Sequence, residues 1–182
     1  MVKKVQRKIC ILGDWASGKT SLVRRFVHNI YDDHYVATIG VKISSKDMVV
    51  KNMRKNPLMK VHLTMLLWDL VGQKEFRSVQ TTAYSCSNGA FIVCDLTRPG
   101  TIDSIDWWVG SLFKKTGPVP IVILANKVDL TKDEIPLFFK QKLEAMAKKY
   151  NATLLPTSAK TGRNVANAFG KMGHMVTNGF FK

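Results

Sequence analysis

Lys8-Ile9-Cys10-Ile11-Leu12-Gly13-Asp14-Trp15-Ala16-Ser17-Gly18-Lys19-Thr20 is a short apolar run, four apolar residues after Lys8, followed by an octapeptide that opens on Gly13 and carries a second glycine at 18. From about Ser21 the chain places apolar residues, Leu22 and Phe26, at helical spacing. Apolar run, glycine loop and amphipathic segment together spell strand, loop, helix. The octapeptide fits the pattern G-x-x-x-x-G-K-[ST], whose glycines let the backbone curl until successive N–H groups point at one phosphate. The positive end of the helix that follows favours the same anion. On this reading Asp14, Trp15, Ala16, Ser17, Gly18 and Ser21 form the cradle. Lys19 bridges the β- and γ-phosphates of a nucleotide, and the Thr20 hydroxyl ligates Mg²⁺. A chance match in a chain of this composition arises about once in a hundred. The alternative is an ordinary glycine turn carrying a surface lysine.

Outward from this loop, the chain alternates. Val41 to Val50 and Leu58 to Trp68 read as two strands of an antiparallel hairpin around the polar, basic stretch 51–57. Apolar runs at Ala90 to Cys94, Val119 to Ala125 and Ala152 to Leu155 are bounded by turn residues and suit strands buried on both faces of a parallel sheet. Helical patterns fill the gaps at Ser78 to Ser87, Ser104 to Lys115, Ile135 to Tyr150 and Asn164 to Val176. Strand and helix alternation without a repeat or a compositional break predicts one α/β domain over 1–182.

Asn126-Lys127-Val128-Asp129 follows directly on the strand ending at Ala125. A carboxylate at this place accepts two hydrogen bonds from the N1–H and exocyclic amine of guanine, a donor pair that adenine lacks. Alone the tetrapeptide is weak, and a helix-capping loop explains it equally well. Its position after a buried strand, downstream of the phosphate loop, strengthens it. Thr157-Ser158-Ala159-Lys160, after the last strand, would bring the Ala159 N–H near guanine O6 and lay the Lys160 stem over one ring face.

The 182 residues are enough for one well-cored domain. Three cysteines, at 10, 86 and 94, lie in apolar or helical contexts without metal-type spacing, and all three are expected to be buried thiols in a reducing compartment. No apolar run approaches the length of a membrane-spanning helix, and no secretory signal pattern follows the basic start. The outlying number is charge: 28 Lys and Arg against 13 Asp and Glu, net +15. Residues 1–60 hold 13 of the basic and 4 of the acidic residues. Such an excess predicts weak attraction to anionic lipid or an acidic partner. No recognised nucleic-acid module accompanies it, so specific nucleic-acid binding is not expected. The four histidines have no ligand spacing, which leaves Mg²⁺ on oxygen as the expected metal.

Taken together, these motifs resemble a small GTPase of the Ras superfamily, most like the Rab branch, across nearly the full length. Trp68-Asp69-Leu70-Val71-Gly72-Gln73 resembles the family's W-D-T-A-G-Q segment, and Tyr31, Tyr35 and Thr38-Ile39-Gly40 resemble its first switch. The resemblance implies the following roles. Asp69 holds Mg²⁺ through water, Thr38 closes onto Mg²⁺ and the γ-phosphate, and Tyr31 flanks the guanine while Tyr35 covers the phosphates. The Gly72 N–H contacts the γ-phosphate and Gln73 orients the attacking water. It also implies the fold: a P-loop NTPase with three αβα layers, a six-stranded mostly parallel sheet with one antiparallel strand, and five helices. GTP, GDP and Mg²⁺ are the implied ligands. An exchange factor, an activating protein and effectors reading the switches are the implied partners of a monomer in trafficking or signalling-type regulation.

Four departures stand out. Trp15 takes a phosphate-loop position where relatives carry glycine or a small residue, and two readings stay open. Either the indole crowds the γ-phosphate, leaving a hydrolysis-impaired, GTP-bound adaptor, or it turns outward and leaves the chemistry intact. Leu70 and Val71 replace Thr and Ala, with packing the expected use. The stretch between the switches is longer than in relatives, making an elongated basic hairpin at about 46–60. Finally, the ending Gly179-Phe180-Phe181-Lys182 has no lipidation cysteine nearby, and Val2 does not fit N-myristoylation. No lipid anchor is expected in the sequence as written, which fits either truncation or a lineage that does not prenylate its GTPases, such as a prokaryotic branch. The resulting location is cytoplasmic, with a peripheral membrane contact through charge. A third class, an ATP-dependent enzyme such as a kinase, would leave N-K-x-D without a purpose.

Overall fold

The computed structural model describes residues 3–32, 38–51, 60–72 and 82–181. Six strands form one sheet: β1 (Lys3–Leu12), β2 (Val41–Lys51), β3 (Lys60–Leu70), β4 (Gly89–Asp95), β5 (Ile121–Asn126) and β6 (Thr153–Pro156), in spatial order β2-β3-β1-β4-β5-β6. All neighbours pair in parallel except β2 and β3, which run antiparallel from Val41 opposite Leu70 to Lys51 opposite Lys60. Five α-helices lie wholly within the described residues: α1 (Lys19–His28), α2 (Pro99–Asp103), α3 (Ile105–Thr116), α4 (Leu137–Lys149) and α5 (Val165–Thr177).

Side-chain alternation explains why the sheet is covered on both faces. Ile9 and Ile11 of β1 join Phe91, Val93, Val122 and Leu124 against Leu22 of α1 and Phe169 of α5. Phe26 stacks on Phe169 with ring centroids 4.0 Å apart. Cys10 and Leu12 face the other way, with Ala90, Ile92 and Ile123, against Trp108 and Val109 of α3 and Leu143 of α4. Chain order reverses around β1, whose neighbours are β3 and β4, and at such a point a crevice opens beyond the carboxyl ends of the strands. The phosphate-loop sequence leaves β1 at this crevice.

Several sequence expectations are refined. α1 starts at Lys19, not about Ser21, because Gly18 adopts a left-handed φ of 95° that turns the chain straight into the helix. The helix expected from Ser104 is preceded by a separate short one, α2, which begins at Pro99, where the fixed φ of proline suits a first helical turn. Of the helix expected over 78–87, residues 82–84 are helical and 78–81 lie outside the described residues, as do hairpin residues 52–59. Cys10 and Cys94 are buried, but Cys86 is exposed, contrary to expectation. It sits in the turn after that helical stretch at a φ of 59°, which directs it off the core. Leu70 and Val71 are 1% and 6% exposed, so packing is their use.

The amino-terminal basic residues Lys3, Lys4, Arg7 and Lys8 belong to β1. Arg7 Nε donates to the Val176 carbonyl near the end of α5, and Lys46 Nζ donates to the Val27 carbonyl near the end of α1. Cations placed at helix carboxyl termini meet unpaired carbonyls and the negative end of the dipole. Part of the +15 is thus used within the fold.

Candidate functional site

The loop from Gly13 to Gly18 is built by backbone geometry that few residues tolerate. Gly13 has a φ of 136°, and a Cβ there would lie 2.1 Å from the Val93 carbonyl oxygen. At Gly18 a Cβ would lie 2.2 Å from Asn126 Nδ2. Within the loop, Lys19 folds back so that Nζ donates to the Gly13 and Asp14 carbonyls at 2.9 Å each. Burial lowers the Lys19 pKa to about 8, against the opposing pull of Asp69 and Asp14. Among the described residues this buried ammonium donates to two carbonyls and to no carboxylate, which suits it to an anion.

Gly72 closes over the same place. A Cβ on it would come within 2.4 Å of Lys19 Nζ and 2.6 Å of both Asp14 C and Trp15 N. The Val71 N–H donates to the Gly40 carbonyl at 3.0 Å, which joins the end of β3 to the start of β2.

Three oxygen-bearing side chains converge beside Lys19. Thr20 Oγ1 donates to Asp69 Oδ2 at 2.5 Å and lies 2.9 Å from Thr38 Oγ1. Asp69 is 1% exposed, its other oxygen, Oδ1, has no hydrogen-bond partner among the described residues, and burial holds its carboxyl above the usual range. Two hydroxyls and a carboxylate with an orphaned oxygen are a hard-oxygen donor set, and Mg²⁺ fits it. Bound there, the ion would supply charge neutralisation for a phosphate group. The Ser17 hydroxyl is a second buried oxygen without a partner among the described residues.

Next to the loop is a pocket of about 160 Å³ lined by Gly18, Ser21, Tyr31, Asn126, Lys127, Asp129, Ala159 and Lys160, together with Leu130. Asn126 organises it. Its Nδ2 donates to the Ser17 carbonyl at 2.9 Å, and its Oδ1 accepts from the Ala159 N–H at 3.3 Å. Ser158 Oγ accepts from the Thr161 N–H, which shapes the last loop. Arg25 of α1 donates to the Ala159 and Lys160 carbonyls and lies 6.0 Å from the Tyr31 ring centroid. The three sequence-distant loops therefore share one wall.

Not every expected residue points at this crevice. The Asp14 carboxylate accepts from the indole Nε1–H of Trp108 at 2.8 Å, so its side chain serves α3 and only its backbone faces the loop. Trp15 is 54% exposed and turned outward. Tyr35 and Gln73 lie outside the described residues. Sequence reading missed Asp95 and Arg98. Fully buried Asp95 accepts from the Thr97 N–H and hydroxyl, from Arg98 Nε at 2.9 Å and from Lys127 Nζ at 2.7 Å. Burial alone would raise its pKa, but the hydrogen bonds from Lys127, Thr97 and Arg98 outweigh burial and leave the carboxyl below its ordinary value. An aspartate ending an apolar, buried strand was the available signal, since a buried carboxylate requires partners.

A phosphate-shaped loop with a short-changed cation, a Mg²⁺-type oxygen set and a base-sized pocket walled by Asp129 can hold a purine nucleoside polyphosphate and promote attack of water on its terminal phosphate. Comparison with known proteins gives the same picture. The Ras family model matches residues 8–178. Ras-related protein Rab-32A of Dictyostelium discoideum is 39% identical over 132 residues, 69% of this chain and 57% of that protein. Ras-related protein Rab-7b of Bos taurus is 32% identical over 171 residues, 92% of this chain and 80% of its own length. Ras-related protein Rab-32 of Mus musculus is 34% identical over 167 residues, covering 88% of this chain and 71% of its own.

Proposed function

The chain belongs to the Ras family, guanine-nucleotide switches that bind GTP with Mg²⁺ and hydrolyse it to GDP, and we propose that its single domain does so with the residues gathered at the β1 crevice. Lys19 and the loop amides hold the β- and γ-phosphates, and Thr20, Thr38 and Asp69 hold Mg²⁺. Asp129 reads the guanine edge beside Asn126, Lys127, Ala159 and Lys160. The carrying observation is the Thr20–Asp69–Thr38 cluster next to the buried, incompletely neutralised Lys19 ammonium. Phosphoryl transfer to water asks the protein mainly for positioning and charge stabilisation, which this arrangement supplies. Gln73 orients the water, and Thr38 with Gly72 senses the γ-phosphate. Loss of that phosphate frees both segments and changes the surface that regulators and effectors read.

The process served is trafficking-type regulation, carried out by a monomer. Among the described residues no helix is long and apolar enough to cross a membrane. Peripheral contact with anionic lipid through basic residues is the membrane mode we propose.

Between the two readings of Trp15, the outward-turned ring supports a hydrolysing switch over a GTP-locked adaptor. Single-turnover GTP hydrolysis by wild type and Trp15→Gly tests this: equal rates support the switch, and a large gain in the glycine variant supports the adaptor.

A further inference from the structure

Trp15 stands in a loop whose inner face must stay open, and something must decide which way an indole there turns. The backbone of Trp15 is held on two sides. Its amide nitrogen lies against Gly72, and its carbonyl accepts from Arg98 Nη2 at 2.7 Å. The same guanidinium lies 5.4 Å from the Trp15 ring centroid, within the range of a cation–π contact, and its Nε is bonded to Asp95. Asp95 in turn is locked by Thr97 and by Lys127 from the base-side loop. A rigid carboxylate thus fixes a planar cation, and the cation fixes both the peptide and the ring of Trp15.

We propose that the Asp95–Arg98 pair is a positioning strap that keeps the Trp15 indole out of the space the γ-phosphate and attacking water occupy, so that hydrolysis in this chain depends on Arg98 although Arg98 does not touch the nucleotide. This rests on the GTPase reading above. Loss of Arg98 removes the contacts it makes with the Trp15 carbonyl and ring, and so shifts the indole towards the phosphates. A misplacement of about 1 Å at a reacting centre is enough to cost about a hundredfold in rate. The loop can therefore carry a large residue at a position that suits a small one because an arginine 83 positions away holds it back.

The test is an epistasis experiment on the full chain, with single-turnover GTP hydrolysis and dissociation of fluorescent N-methylanthraniloyl-GDP measured for wild type, Arg98→Ala, Trp15→Gly and the double variant. The strap predicts that Arg98→Ala slows hydrolysis about tenfold or more, whereas adding Arg98→Ala to Trp15→Gly changes hydrolysis less than twofold. Arg98→Lys, which keeps the charge but loses the fork, should fall with Arg98→Ala. Equal slowing in both backgrounds would mean that Arg98 only stiffens the loop, and no slowing in wild type would mean that Trp15 needs no strap; either overturns the proposal. Absence of hydrolysis in wild type with tight GDP binding would instead overturn the switch reading, and absence of GDP binding would overturn the nucleotide assignment.

Discussion

Trp108 and Asp14 meet at 2.8 Å, the indole N–H of a residue that is 1% exposed donating to a carboxylate of the phosphate loop. This bond fastens α3 to the loop and removes Asp14 from the phosphates, which a carboxylate would repel. Trp108→Phe keeps most of the ring volume and deletes the donor. Loss of a hydrogen bond to a charged group should lower stability by about 1.5–3 kcal/mol and accelerate GDP release. Denaturant unfolding and fluorescent GDP dissociation read the two effects, and unchanged values for both would show that the contact is incidental.

Gly72→Ala should be costly despite the smallness of the change. The added carbon meets Lys19 Nζ, which can move, but also Asp14 C and Trp15 N, which are backbone. The end of β3 must back away from the loop. Hydrolysis is expected to fall about a hundredfold while GDP binding, which does not need the γ-phosphate contact, changes much less. Parallel losses in both would contradict the separation of roles.

Protonation of Lys19 gives a pH signature. Burial lowers its pKa to about 8 in the folded protein, below the ordinary lysine value of 10.5. Without nucleotide, the cost of burying the charge is full below pH 8 and disappears as pH rises past the unfolded value, so this group makes the free protein relatively more stable across that interval. Phosphate oxygens beside Nζ favour the charged form, and nucleotide binding near pH 8.5 should therefore take up protons. Calorimetric titration with GDP in two buffers of different ionisation enthalpy measures the uptake. Proton release at that pH would contradict the assignment of Lys19.

Asn126→Ala removes a side chain whose two ends hold the Ser17 carbonyl and the Ala159 N–H. The loss leaves two buried backbone groups unpaired, at about 1–3 kcal/mol each before relaxation. Thermal unfolding should show the loss even without nucleotide. A variant that is destabilised only in the bound state would mean that Asn126 acts on the ligand and not on the loops.

How much of this was legible in the sequence follows from where the chemistry sits along the chain. The phosphate loop, N-K-x-D and the Thr157 to Lys160 loop are contiguous, each with residue types tied to one local task, and the alternation of apolar runs and helical patterns carried the sheet. What stayed hidden depends on distant pairing. Trp108 with Asp14, Asn126 with Ser17 and Arg98 with Trp15 are 94, 109 and 83 positions apart. Residue types hinted at one of them, because a buried indole N–H requires a partner. The outward turn of Trp15 could not be read from its own neighbourhood, since the Arg98 guanidinium that meets its carbonyl and its ring comes from a distant segment. Cys86 was misjudged for a similar reason: the helical pattern assigned to 78–87 gave no sign of the left-handed turn that exposes it.

The central claim, a guanine-specific nucleotide site joining the phosphate loop to Asp129, is tested most directly by displacing bound N-methylanthraniloyl-GDP with GDP or ADP in the presence of Mg²⁺. A site whose Asp129 carboxylate pairs with the guanine donors should reject ADP by about 10⁴-fold, with that preference largely lost in Asp129→Ala. Displacement by ADP at concentrations similar to GDP would contradict it.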